Sequence, residues 1–472
     1  MTPTLDRPHP MRSLLILSVA ALAFALAQTT LIPALGELAV ALRTDASGVA
    51  WTLTGYLLSA AVCTPLFGRL GDMFGKRRLL VIALAVFAAG SVVSALAGSL
   101  GLLVAGRVLQ GVGGGIFPLC FAIIRDEFPA DRVSSSIGLI SATFGIGGGA
   151  GLIIGGLLVD NVSYHWIFWL GAAMAVLAAV LTELLIPESP NRTPGRVDLV
   201  GAAVLGAGLV LPLLAIARAN DWGWGSAQTL GLVAAGAVIL AGWLRLQRRT
   251  PQPLADVELL SRPPVLMTNL ATLLVGFGMF GSFILIPQLA EAPERTGYGF
   301  GLGATGAGLL MLPGALVMLV AGPLAGALVR RFGGKLPLAL GAAVSAAGLL
   351  LLGLDHGTET AMIAWNIVLS IGIGLAFAAM PNLIFDAVPM AETGEATGFN
   401  TLVRSVGASL GSQVAAAILT ASAIGALPSD DGYTAAFLVS AGVATAAALV
   451  AVLIPRPAAH AHVRVQPVYA ER

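Results

Sequence analysis

The sequence predicts an all-α integral membrane protein of fourteen transmembrane helices, built as two repeat-related halves of six with two helices between them (6 + 2 + 6). Three observations predict it. First, 57% of the 472 residues are hydrophobic and only 10% are charged, with mean hydropathy +0.91. Soluble domains carry about 25% charged residues, so this composition excludes a water-soluble globule. Second, the apolar residues fall in long runs, and the basic residues crowd into alternate connections. Third, a pattern near residue 70 returns half a chain later. Gly68, Leu70 and Gly75 are matched by Gly326, Leu328 and Gly333, each offset by 258 residues.

A helix needs about 20 apolar residues to cross the roughly 30 Å hydrocarbon core. Fourteen runs qualify: 13–36, 49–69, 79–99, 102–124, 134–158, 165–186, 198–217, 226–245, 265–290, 303–328, 336–354, 362–386, 397–421 and 433–454. The first follows Arg7 and Arg12, and Ala39-Val40-Ala41 resembles a signal-peptide cleavage site. An h-region spans only about 7–15 residues, so the run reads as a first span. The second and third runs are separated by the charged segment 68–78, read as a tight hairpin loop. The fourth contains Arg107 and the fifth is rich in glycine. The seventh and eighth are set off by polar, Pro-rich stretches at 187–196 and 248–264, which fit linkers. Gly and Ala are frequent throughout, as expected where helices touch closely in lipid.

Basic residues orient the spans. With the N-terminus inside, 20 of the 25 Lys and Arg lie on the cytoplasmic side. The outer connections hold only Arg43, Arg218 and Arg295, and Arg107 and Arg404 lie within spans. The expected location is therefore the plasma (inner) membrane, multi-pass, with both termini cytoplasmic. A net charge of +1 gives no basic field for nucleic acid. Cys63 and Cys120 both sit in apolar runs, so neither a disulfide framework nor a metal site is expected. The chain has no G-x₄-G-K-[ST] and no G-x-S-x-G, so neither nucleotide-driven transport nor an enzyme is expected, and no cofactor.

The 258-residue echo extends along the chain. Leu31, Pro33, Leu35 and Glu37 match Leu285, Pro287, Leu289 and Glu291 at offset 254. Gly113 and Gly115 match Gly372 and Gly374 at 259, and Gly138, Gly147 and Gly151 match Gly398, Gly407 and Gly411 at 260. This divides the chain into an N-terminal half (1–186), an insert with its linkers (187–264), a C-terminal half (265–454) and a cytoplasmic tail (455–472). Parallel six-helix repeats imply an axis along the membrane normal and a central site near the midplane.

On these residues the chain resembles the major facilitator superfamily, and its 6 + 2 + 6 plan resembles the fourteen-helix drug/proton antiporter (multidrug efflux) branch. Gly68, Leu70, Asp72, Gly75, Lys76 and Arg77 are similar to the superfamily's signature after span 2. Arg107, Gln110, Gly111 and Gly113 resemble its span 4 signature. Gly147, Gly151, Gly155 and Gly156 resemble the antiporter signature of span 5, with Leu152 where the family has Pro. Span 1 has Gln28 where the branch usually has Asp. The resemblance implies a latch in which Gly68, Asp72, Gly75, Lys76 and Arg77 hold the halves together on the cytoplasmic side. In the second copy Arg330 stands in place of Asp72, so the first copy is expected to dominate.

A charge inside the membrane is costly and marks a candidate site. Arg107 lies roughly 8 Å below the outer end of its span and Gln28 roughly 12 Å, at 1.5 Å per residue. A polar cluster of Gln28, Thr29, Arg107 and Gln110 is expected between spans 1 and 4; the alternative is an Arg that only ties helices together. Arg404 in span 13 suits a transport role or a structural bond to backbone carbonyls or Asn400. Glu37 and Glu291, at outer helix ends, suit gating, protonation or a plain interfacial position. Asn366 stands at the repeat position of Arg107 and Ser282 at that of Gln28, with Phe280, Phe283, Trp365, Phe377 and Met380 around them. A polar wall facing an aromatic wall suits an amphipathic organic substrate. The Gly147/Gly151/Gly155 stripe and Gly156 are expected to pack closely along a seam between the halves.

The resulting expectation is an alternating-access transporter that exports small amphipathic or hydrophobic compounds, such as drugs and antibiotics, in exchange for protons. Its partners would be the small-molecule substrate, protons and the lipid bilayer, and it would act as a monomer. Direction and antiport rest on the resemblance alone. Two alternatives stay open: a facilitator or symporter for a specific metabolite without proton antiport, and a non-transporting membrane sensor.

Overall fold

The computed structural model describes residues 10–44, 46–189, 192, 198–251, 253–423 and 427–455. Among them the N-terminal half comprises α1 (Pro10–Thr29), α2 (Leu35–Ala41), α3 (Ala46–Phe74), α4 (Lys76–Ala95), α5 (Leu100–Gly111), α6 (Ile116–Glu127), α7 (Ala130–Asn161) and α8 (His165–Leu185). The insert holds α9 (Leu199–Trp222), α10 (Ala227–Gln247) and the short α11 (Val257–Ser261). The C-terminal half comprises α12 (Pro263–Glu291), α13 (Ala304–Phe332), α14 (Lys335–Leu354), α15 (Glu359–Ala387), α16 (Thr393–Ala421) and α17 (Asp430–Leu453). Helices α5 and α6 are joined by a 3₁₀ turn, Val112–Gly115, into one continuous path. Among the described residues thirteen segments are long and apolar enough to cross a membrane, and α9 adds the apolar stretch Val200–Ile216. The protein is a multi-pass membrane protein.

Local chemistry sets the helix ends. Ser99, Ser226, Thr358 and Ser429 each accept a first-turn amide N–H through the side chain, at the starts of α5, α10, α15 and α17. Asp198 and Asp256 do the same for α9 and α11. Such caps satisfy amides that have no partner within the helix.

The charged segment 68–78 departs from the expected hairpin loop. Helix α3 runs through Asp72 to Phe74, and α4 begins at Lys76. The whole connection is Gly75, at φ +110°, a region that L side chains rarely adopt. Gly333 repeats it at φ +77°. Gly68 and Gly71 stay within α3, and of the glycines in this run only Gly75 takes a positive φ. At helical spacing, Gly68 and Asp72 then share one face.

Packing follows the repeat. Within the N-terminal half α1 packs on α7 and α8, and α4 on α5 and α8. The C-terminal half pairs α12 with α16 and α17, and α14 with α15 and α17. The halves meet chiefly through α7 with α13 and α3 with α16, with α7 against α15 and α6 against α16 beside them. The inserted α9 and α10 pair with each other, and α9 lies against both α3 and α16.

The glycine stripe corrects an expectation. Gly147, Gly151 and Gly155 face α1, not the other half: a Cβ on Gly155 would lie 2.2 Å from the Thr30 carbonyl oxygen, and one on Gly147 would lie 2.4 Å from the Ala25 Cβ. They bind the N-terminal half to itself. Their counterparts Gly407 and Gly411 press on α12 at Leu273 and Phe277 in the same way. The seam between halves uses the adjacent face of α7. Gly138 meets Gly322, Gly145 meets Met318, Gly149 meets Ala315 and Gly156 meets Thr305, all on α13. Residues three or four apart share a stripe, and a shift by one or two residues turns to a different neighbour.

Gly155→Leu is expected to destabilise the purified protein by about 1–3 kcal/mol through overpacking on Thr30. Gly242→Leu, where nothing lies within 4 Å of a new Cβ, is expected to leave the melting temperature in detergent unchanged. Equal melting of the two variants would refute this assignment of the α1–α7 contact.

Candidate functional site

At the end of the molecule bearing Lys76, here called the basic end, the halves are clasped. The Asp72 carboxylate on α3 is fully buried and accepts the Gly394 N–H at 3.1 Å and the Glu395 N–H at 2.9 Å. Those are first-turn amides of α16 in the other half, where the helix dipole favours an anion. Lys76 Nζ lies 3.7 Å from Asp72 and 2.6 Å from Asp126 on α6, with all three side chains fully buried. The Ser189 hydroxyl also donates to Asp126. Arg69, one turn before Asp72, pairs with Glu395 at 3.1 Å. The other Glu395 oxygen accepts the Asp256 N–H at 2.6 Å, tying the start of α11 to the same cluster. Gly68 makes the approach possible, since a Cβ there would lie 2.2 Å from the Gly394 carbonyl oxygen.

Arg125 on α6 forms a second cross-link. It donates to Thr393 Oγ1 at 2.5 Å, the Phe385 carbonyl at 2.6 Å and the Val388 carbonyl at 3.1 Å. Gly75, Arg77 and Arg78 instead hold the N-terminal half to the start of the linker that follows it. The Glu188 carboxylate accepts the Arg77 and Arg78 amides, each at 3.1 Å, and the Arg77 guanidinium lies 3.5 Å from Glu183. The second copy of the pattern is weaker. Gly326 packs on the backbone of Ser134 and Ser135, while Arg330, exposed, donates to Ser135 Oγ at 3.2 Å.

The cluster expected around Arg107 forms, entirely within the N-terminal half. Arg107 is 1% exposed. It donates to the Thr52 carbonyl, twice to the Ala27 carbonyl, all at 3.2 Å, and to Gln110 Oε1 at 2.7 Å. Its guanidinium stacks 4.2 Å from the Tyr56 ring centre. Gln110 passes the bond on to Ser91 at 2.7 Å. The Tyr56 hydroxyl donates to the Phe24 carbonyl at 3.2 Å, and Thr29 donates to the Gly147 carbonyl at 2.7 Å; Gln28 lies near the Tyr56 hydroxyl. The cleft beside Arg107 is lined by α1, α5 and α8, on the side away from the other half. Arg107 therefore ties four helices together.

The expected C-terminal wall does not assemble as one surface. Ser282 is buried and donates to the Met279 carbonyl, and Asn366 donates to the Met311 carbonyl. Trp365 is half-buried and turns toward Asp355, to which its indole donates at 3.2 Å. Phe283 does reach the other half, its ring edge 3.3 Å from a Cβ on Gly148. The side chain of Phe280 and the tail from 456 onward lie outside the described residues. Glu37 and Glu291 are exposed at their helix ends.

Between the halves sits Arg404 on α16, 8% exposed. Its guanidinium faces three aromatic rings: Phe144 and Phe377 at 4.7 Å and Phe117 at 5.9 Å. Phe117 and Phe144 belong to the N-terminal half, and Phe377 to α15. The expected bond to Asn400 is not made, because that amide donates to Asn269 and Thr272 at 2.8 and 2.9 Å. A cleft of about 10 Å³, the space of one water, is lined by Arg404, Asn400, Phe121, Phe377 and Met380.

Two six-helix halves, clasped through this signature and enclosing a buried site, match a known architecture. The sequence model of the Major Facilitator Superfamily matches residues 17–412. The chain belongs to this superfamily. It is 29% identical over 424 residues to the tetracenomycin C resistance and export protein of Streptomyces glaucescens, covering 89% of this chain and 77% of that one. It is 31% identical over 415 residues to the multidrug efflux pump LfrA of Mycolicibacterium smegmatis, covering 87% and 81%. The solved structure of the human organic anion transporter MFSD10 (TETRAN) superposes with a TM-score of 0.66, covering 94% of this chain and all of that one at 17% identity, which shows the shared fold.

Within this superfamily member, the residues that sequence reasoning missed are Arg125, Asp126, Glu395 and two of the three rings around Arg404, Phe117 and Phe144. Arg125, Asp126 and Glu395 lie just beyond apolar runs, where charges read as interfacial. The available signal was the offset of 260, which pairs Glu395 with Ser135 beside the two copies of the charged pattern.

Removing Asp72 deletes two charge-assisted hydrogen bonds, about 1.5–3 kcal/mol each. Asp72→Ala is expected to raise maleimide labelling of a cysteine placed at Ala396 by about ten-fold or more, in a background lacking Cys63 and Cys120. Unchanged labelling would show that the clasp does not hold this end closed. Arg107→Ala leaves the Ala27 carbonyl, in the last turn of α1, without its Arg107 partner, about 1–3 kcal/mol. Arg107→Lys and Arg107→Ala are both expected to lower the melting temperature, with transport falling only as far as the folded amount falls.

Proposed function

We propose that this superfamily member is a secondary active transporter that works by alternating access and exports small amphipathic or hydrophobic compounds in exchange for protons. The observation that carries the reading is the clasp from Asp72 to the amides of Gly394 and Glu395, which joins the halves through polar contacts at one end. Polar contacts of this kind can break and re-form as the halves rock. The printed functions of the relatives, tetracenomycin C export and multidrug efflux, support outward transport of organic compounds. The placement of 20 of 25 basic residues supports a cytoplasmic basic end, both termini cytoplasmic, in the plasma (inner) membrane. The protein acts as a monomer, and no enzymatic activity is proposed.

One observation favours a second reading. Gln28 occupies the span 1 position where the branch usually has Asp, and the buried carboxylates Asp72, Asp126 and Glu395 all lie at the clasp. A facilitator or symporter for one metabolite would need no acid at mid-depth. Proteoliposomes with an imposed pH gradient and a panel of hydrophobic cations and neutral drugs separate the readings. Proton antiport predicts drug movement that reverses with the gradient. Movement indifferent to the gradient would overturn proton exchange, and no movement across the panel would favour the single metabolite.

A further inference from the structure

Arg404 differs from every other buried charge among the described residues. Asp72 has two amides and Lys76, Glu395 has Arg69, and Arg107 has two carbonyls and Gln110. Arg404 has no carboxylate within 4 Å and no hydrogen-bond partner among the described residues, only ring faces. A guanidinium in the membrane without an oxygen partner is costly, and cation–π contacts offset only part of that cost. The planar fork of an Arg matches a carboxylate with two parallel N–H donors, while its face stacks on aromatic rings. Here the face is used and the fork is free.

The rings around it form part of a continuous series. Tyr56 stacks on Phe24 at 5.6 Å, and Phe24 meets Phe117 at 6.1 Å. Phe117 meets Phe144 at 5.4 Å, and Phe144 meets Phe377 at 5.9 Å across the halves. Arg404 and Phe377 belong to one half, and Phe117 and Phe144 to the other. Separation of the halves therefore removes two of the three rings from the guanidinium and opens a cleft that is now the size of one water.

We infer that Arg404 is the charge-recognition point of the transport site and takes a planar aromatic compound bearing an acidic group, a carboxylate or phenolate. In the clasped state Phe117 and Phe144 occupy the place of that compound's ring. When the halves part, the compound replaces them, its ring on the guanidinium face or on Phe377 and its anionic oxygen on the free fork. This rests on the transport reading above and adds the substrate's charge to it.

The test uses the full-length protein and three probes: anthraquinone-2-carboxylate, its methyl ester, and ethidium. Binding is measured by equilibrium dialysis in detergent. The wild type is expected to bind the carboxylate at least about ten-fold more tightly than the ester, equivalent to about 1.4 kcal/mol. Arg404→Gln is expected to abolish that preference, and Arg404→Lys to retain part of it. The melting temperature of Arg404→Gln should equal or exceed that of the wild type, because an unpaired buried charge is removed. A wild type without preference for the acid, or Arg404→Gln that keeps it, overturns the assignment. If the acid preference is absent while ester or ethidium still moves in the pH-gradient assay, Arg404 recognition fails and the export reading stands. Wild type that binds none of the three overturns the assignment as well, and only absence of transport across the wider panel overturns export.

Discussion

A carboxylate buried at the junction of two bundles constrains most of what surrounds it. Asp72 has no exposed side-chain surface, so its charge must be met by donors within the protein. Two donors are supplied by the start of α16, in the other half. That requires α3 to remain helical beyond its apolar run, so that Asp72 lies one turn past Gly68. It requires Gly68 and Gly394 to bring their backbones together, which a side chain at either position would prevent. It also requires α4 to begin at once after Gly75, so that Lys76 can lie between Asp72 and Asp126. Arg125, Arg69 and Glu395 extend the same polar layer across the junction.

This clasp joins two surfaces that are otherwise apolar and glycine-lined. Along α7 the residues that bind the half to itself and those that slide on the other half occupy adjacent stripes. Gly147, Gly151 and Gly155 lock α7 to α1, while Gly138, Gly145, Gly149 and Gly156 face α13. One helix thus belongs rigidly to its bundle and offers a smooth face to the other. The arrangement suits rigid-body rocking, in which each half keeps its internal contacts. The inserted α9 rests on both α3 and α16, and Asp256 at the start of α11 bonds Glu395, so the insert touches the moving junction as well.

The two arginines inside the membrane resolve into different kinds of residue. Both stand out in the sequence as charges in apolar runs. Arg107 is saturated by carbonyls and Gln110 from its own half, the pattern of a helix tie. Arg404 meets only rings, two of which belong to the opposite half. The sequence made Arg107 the stronger candidate through the polar residues expected around it, Gln28, Thr29 and Gln110, because residue type is legible along the chain whereas partner supply is not.

The sequence by itself determined the membrane class, the many-span helical plan, the duplication and the family. Each follows from composition, run length or repeat offset, which are properties of residues in order along the chain. It also marked Asp72 as one residue of a latch between the halves, without the helix N-terminus that it meets. Only the tertiary structure decided which N-terminus, which stripe of α7 faces which neighbour, and which arginine lacks an oxygen partner. Those depend on how helices rotate about their axes and which distant carbonyls they meet. A rotation of one residue, about 100° at 3.6 residues per turn, changes the neighbour entirely while leaving composition, hydropathy and the repeat untouched.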